Sequence, residues 1–145
     1  MATEERVKYW LDVAADDLSL AEYIYDGGRW LYTAFMCHQA IEKTLKAYWV
    51  YARNDEPPYV HSHLKLIKGC GLLDELTDEQ LRFIDFMVPM NIEARYPDYK
   101  RDVASKLNKE SAHYVLEQTK QLLQWIHQKF SVGTKPCSSS EIING

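Results

Sequence analysis

A chain of 145 residues with 46% hydrophobic residues and a formal charge of −4 is sized for one domain, and such a domain buries about 70% of the surface its unfolded form exposes. That charge excludes the broad positive field of a sequence-independent nucleic-acid binder, so any contact with nucleic acid has to be local. No run of about 18 apolar residues could span a bilayer, and three cysteines without paired spacing (Cys37, Cys70, Cys137), with no apolar leader at the N-terminus, predict a reduced, cytoplasmic protein.

Glycine and proline are confined to punctuation, and the texture between them is helical. Over residues 4 to 26, Val7, Leu11, Ala14, Leu18, Ala21 and Tyr25 step by four and three and lay one apolar stripe on a helix. Residues 1 to 28 are acidic, with Glu4, Glu5, Asp12, Asp16, Asp17, Glu22 and Asp26 against Arg6 and Lys8. Gly27-Gly28 stops this helix, and a second one is expected from about 29 to 53 on the stripe Leu31, Ala34, His38, Ile41, Leu45, Tyr48 and Ala52. The tight turn makes the two an antiparallel hairpin.

"ARNDEPPYVHSH" is a loop by its prolines, and "LKLIKGCGLL" suits a short helix ending at Gly69 or Gly71. Thr77, with Gln80 three residues on, is a capping box that opens a helix expected to run to about Tyr96. Pro89 should kink that helix, because it lacks a backbone donor and crowds the preceding turn. A last helix over about 107 to 130 carries Ala112, Leu116, Thr119, Leu123, Ile126 and Phe130 on one face. The expected fold is an all-α, up-and-down four-helix bundle with an additional short helix over residues 1–130, followed by a flexible C-terminal tail at 131–145.

Few side chains are spaced for chemistry. A carboxylate-bridged metal pair needs Glu-x-x-His on two helices, and this chain has one such spacing, Glu110 to His113. His61 and His63 lack a third partner, so no metal is expected. Cys37 and His38 are neighbours on a helix and point about 100° apart, and His38 on the apolar stripe reads as a hydrogen-bonded core histidine. No glycine-rich phosphate loop occurs, and no cofactor is implied. Glu42 and Lys46 form a favourable i,i+4 pair, which by physics alone is a solvated helix flank. Residues 95 to 109 are the one basic stretch, with Arg95, Lys100, Arg101, Lys106 and Lys109 against Asp98 and Asp102; they are a candidate anion patch or an ordinary solvated surface.

The segments "YTAFMCHQAIEKTLKAYW", "VHSHLKLIKGCGL" and "ARYPDY" together resemble the HEPN domain family in order and approximate spacing, over roughly residues 5 to 130. Gln39, Glu42, Lys43 and Lys46 match its second-helix motif, His61 its loop histidine, and Arg95, Tyr96, Pro97 and Asp98 its Arg-Tyr-Pro-Asp segment; His63 falls where an apolar residue is usual. The resemblance implies a four-helix bundle with an extra short helix, commonly a homodimer, linked to nucleotide binding and often encoded beside a minimal nucleotidyltransferase partner in toxin–antitoxin-like systems. Together with the local positive charge it points to the candidate site: Arg95 with Lys100 or Arg101 facing a nucleotide or RNA phosphate, Tyr96 beside them and Asp98 orienting the arginine.

The family's RNA-cleaving members pair an arginine with a histidine across four to six intervening residues. Here Lys100, Arg101 and Asp102 stand at those positions, so the chain is expected to be a binding module rather than an enzyme. A ribonuclease would need His61 or His113 as a substitute base. A purely structural dimer, with Trp10, Trp30, Trp49 and Trp125 at its interface, is a third reading. Arg95 itself continues the stripe of Leu81, Ile84, Val88 and Ile92, so it is expected to point inward. There it either pairs with Asp98 or an acid of the first helix, or meets the ligand.

Overall fold

The computed structural model describes residues 2–92 and 95–131. The expected tail, with Cys137, lies outside the described residues, as do Glu93 and Ala94. The described residues form helices α1 (Thr3–Asp26), α2 (Trp30–Arg53), α3 (His63–Gly69), α4 (Asp78–Met87), α5 (Pro97–Ser105) and α6 (Lys109–Ser131), with short 3₁₀ turns at Leu73–Glu75 and Val88–Met90 and no strand among them. The described residues are all-helical, as the sequence predicts.

The α1–α2 hairpin forms where the glycines place it. The amide of Gly27 closes on the Tyr23 and Ile24 carbonyls, and Gly28 takes φ 74°, a left-handed turn that a side chain would oppose. The far ends meet as well: Thr3 bonds Asn54, and Arg6 lies 3.0 Å from Glu56. The α1 stripe faces inward, with Val7, Ala14 and Ala21 buried.

α2 is the axis of the molecule. It packs against α1, α3, α5 and α6, and its buried residues run nearly all round the helix, from Thr33 to Tyr51. α6 closes the core with Ala112, Leu116, Thr119, Leu123, Ile126 and Phe130, all buried, and the Tyr51 hydroxyl donates to the Phe130 carbonyl. Its start is fixed by a reciprocal pair in which the Ser111 amide donates to Asn108 Oδ1 and the Asn108 amide to Ser111 Oγ.

The helix expected from Thr77 to Tyr96 is shorter. Its start is as expected, since Thr77 and Gln80 form the complete capping box. Its end is not, because α4 stops at Met87, passes through a 3₁₀ turn holding Pro89, and gives way to extended backbone at Asn91. Proline removes the amide that would bond the preceding turn, and with Pro97 close behind, the chain ends the helix rather than bending it. Tyr96 is extended, with ψ 155°, and Pro97 opens α5 at the position where a missing amide costs nothing. Arg95 falls between the two prolines.

Candidate functional site

Three elements meet around a cleft of about 330 Å³ lined by His38, His61, Ser62, His63, Val88, Asn91 and Arg95. α2 supplies His38, the start of α3 supplies His61, Ser62 and His63, and the segment after α4 supplies the rest. Ser62 caps α3, its hydroxyl accepting from the Lys65 amide at 3.2 Å, which fixes the two histidines that flank it.

These histidines serve different ends. His63 is buried, stacks on His38 with ring centroids 3.9 Å apart, and donates from Nε2 to the His38 carbonyl at 2.9 Å. Burial lowers His63 to a pKa of about 4 and His38, with the charge of His63, His61 and Lys43 adding, to about 2, so both are neutral cleft walls. His38 is a core histidine as expected, but its Nδ1 is buried without a partner among the described residues. His63 fills its apolar position as a flat aromatic would, giving its one N–H to a carbonyl.

His61 faces outward, its side chain 59% exposed, and its Nδ1 lies 3.1 Å from Glu42 Oε1. Glu42 is only 1% exposed; its Oε2 accepts from Lys46 at 2.9 Å and lies 3.7 Å from Lys43. This corrects the expectation of a solvated flank. α1 covers one side, with the Trp10 ring 5.5 Å from the Lys46 ammonium, and the loop before α3 covers the other. Burial pushes the Glu42 carboxyl up, but the hydrogen bond and charge of Lys46, the charge of Lys43 and the bond from His61 outweigh it and hold it below the usual carboxylate range.

Arg95 is exposed rather than inward-pointing, because the helix that would have carried it inward has already ended. Its Nε donates to the Asn91 carbonyl at 3.3 Å and its guanidinium lies 4.8 Å over the Tyr99 ring. Neither expected carboxylate partner is present: among the described residues no ion pair joins Arg95 to Asp98 or to an acid of α1, and Asp98 lies 3.5 Å from Arg101 instead. Lys106 likewise pairs with Asp102 at 3.4 Å, so both acids of the basic stretch are taken up by Arg101 and Lys106, and its excess of positive charge remains with the other bases. Tyr96, Asp98, Lys100 and Arg101 do not line the cleft, and Tyr96 is 84% exposed beside it. Gln39 is half-buried on α2 with an unpartnered Oε1.

His113 stands apart on α6, in ring contact with Tyr25. Of the two substitute bases the sequence offers, only His61 shares a cleft with Arg95. Ser62, Val88 and Asn91 carry no sequence signal as site residues, since they are brought in by a helix cap and a proline break. No group of three or more His, Cys, Asp or Glu side chains among the described residues is arranged to hold a metal ion. Cys37 and Cys70 are free and buried, and burial raises their thiols to about 12 and about 11, which makes both inert. No helix among the described residues is long and apolar enough to cross a membrane.

No curated relative matches the sequence. A solved structure described as the crystal structure of TT1696 from Thermus thermophilus is similar in fold, with a TM-score of 0.72 and 21% identity over 86% of this chain and 98% of that one. The model of the HEPN domain matches residues 7–129, a span that holds every residue lining the cleft, and the chain belongs to the HEPN domain family.

Proposed function

We propose that the chain is a cytoplasmic binding module whose cleft takes the phosphate of a nucleotide or of an RNA strand. The observation that carries this reading is Arg95: a guanidinium at the cleft mouth with no carboxylate partner among the described residues, facing the same space as His61. A guanidinium gives two parallel charge-assisted hydrogen bonds to a phosphate, and stacking on Tyr99 presents it in one plane. Lys100, Arg101, Tyr96 and Asp98, outside the cleft, would act only on a longer ligand that runs along α5.

Isothermal titration with ATP, GTP and AMP tests the reading. Binding of at least one is expected, and Arg95→Met should weaken it about tenfold or more, the value of one lost charged hydrogen bond. Absence of heat with all three would overturn it. The homodimer and the nucleotidyltransferase partner belong to the same proposal on the strength of the family; light scattering that reports a monomer at micromolar concentration would remove the dimer. Of the four tryptophans Trp49 is in the core, while Trp10, Trp30 and Trp125 are partly buried against it and keep surface that a purely structural dimer would use.

One observation favours a second reading, metal-independent RNA cleavage. His61, held by Glu42, and Arg95 line one cleft, which is a base and a phosphate-stabilising cation in the same place without the family's usual spacing. Purified protein should then shorten a mixed RNA substrate, and His61→Ala should stop it. RNA left intact by the wild-type protein sinks this reading.

A further inference from the structure

Glu42 and Lys46 have no part in the phosphate-binding reading, although they form the most deeply buried ion pair among the described residues. Each carboxylate oxygen has its own partner: Oε2 holds Lys46, and Oε1 is left for His61 Nδ1 at 3.1 Å. A carboxylate engaged by a lysine ammonium only accepts hydrogen bonds, so the proton on this contact has to sit on His61 Nδ1. In the neutral ring Nε2 then carries a lone pair, and no protein group among the described residues occupies it. His61 is too exposed for the contact to add much stability. What the contact changes is the face that His61 shows to the cleft.

We propose that Glu42 is a positioning residue that locks His61 with its Nε2 as an acceptor, so that the cleft selects an anion carrying a hydroxyl donor beside its phosphate, as a ribose phosphate does. The division of labour follows from the two groups: Arg95 can only donate and takes the phosphate oxygens, while His61, when its ring is neutral, can only accept at Nε2 and so draws in an O–H instead. Among the other lining residues Val88 is apolar and Ser62 Oγ already accepts from the Lys65 amide, which leaves Asn91 as the other side chain free to accept there. Lys46 keeps Glu42 charged, and the Trp10 ring shields that pair. The inference rests on the phosphate-binding reading for its ligand but not for its tautomer.

The test has two arms. With ¹⁵N-labelled histidine at about pH 8, where a free imidazole is neutral, the His61 resonances should show a protonated Nδ1 and a bare Nε2; the opposite assignment overturns the proposal without any ligand. In titrations, AMP should bind about tenfold more tightly than 2′,3′-dideoxy-AMP, the loss expected for one unmade hydrogen bond. Equal affinities overturn the hydroxyl selection while leaving phosphate binding intact, and absence of binding by both sinks the phosphate reading and leaves the isotope arm to decide the role of Glu42. Glu42→Gln could unfold the chain by stranding Lys46, so the matched variant is Glu42→Gln with Lys46→Met, whose fold is checked by thermal unfolding. In that variant the preference for AMP should collapse and the tautomers should mix; a folded double variant that keeps both overturns the assignment to Glu42.

Discussion

Glu42 is the residue whose placement the sequence describes least well. Its i,i+4 spacing from Lys46 is plain in the chain, and the pair forms at 2.9 Å. Its burial is not plain, because burial depends on Trp10 from α1 and on the loop that returns from Pro57-Pro58, neither of which a local period reports. The same holds for Arg95, where the stripe from Leu81 to Ile92 points inward and the residue itself does not. Burial makes Glu42 costly to truncate. Glu42→Ala leaves Lys46 charged and unpaired in the interior and should lower the unfolding free energy by about 3–5 kcal/mol, whereas Met at both positions should be near neutral. Urea unfolding of the two variants beside wild type separates the outcomes, and an alanine variant as stable as wild type would contradict the buried pair.

At the scale of elements, boundaries set by local chemistry were legible, and the end of α4 and the separate helix α5 were not. The Thr77–Gln80 box and the Gly27-Gly28 stop are local chemistry, and both stand where the sequence places them. Thr77→Ala should cost about 1 kcal/mol in unfolding free energy, typical of one lost cap. The end of α4 depends on two prolines acting together, which a single-helix pattern hides. Gly69 shows a different constraint, since a Cβ there would come within 2.1 Å of the Trp49 ring. That ring cannot swing aside, because its Nε1 donates to Asp55 at 2.6 Å and Arg53 lies 4.5 Å over its face. Gly69→Ala should therefore destabilise the fold by about 1–3 kcal/mol through overpacking, read as a lower midpoint of thermal unfolding. An unchanged midpoint would mean that α3 does not seat against α2 at this point.

For the whole molecule, the histidine cleft ties stability to pH. His38 and His63 have folded values lowered by burial, from 6.5 to about 2 and about 4, so below pH 6.5 the unfolded chain binds the protons and the folded one does not. Their contribution is fully present above about pH 6.5 and is lost as pH falls toward the folded values, at about 1.4 kcal/mol per pH unit for each ring. Glu42, held low in the folded state, adds a loss in the same direction at more acid pH. Between pH 7 and pH 5 the unfolding free energy should fall on the order of 3 kcal/mol, and His63→Phe should remove about half of that slope; a flat profile would contradict neutral, buried rings. The all-helical class, the α1–α2 hairpin and the α6 core were readable from apolar spacing. The cleft was readable only as separate parts, His61 and Arg95, because a helix cap and a double-proline break join them across sequence. The central claim is that those parts bind one ligand together. Amide and side-chain NMR shifts of the full chain titrated with AMP measure this directly: the expected changes cluster on His61, Ser62, Val88, Asn91 and Arg95 and are abolished by Arg95→Met, and changes confined to Lys100, Arg101 and Lys106 on α5, or none, would contradict it.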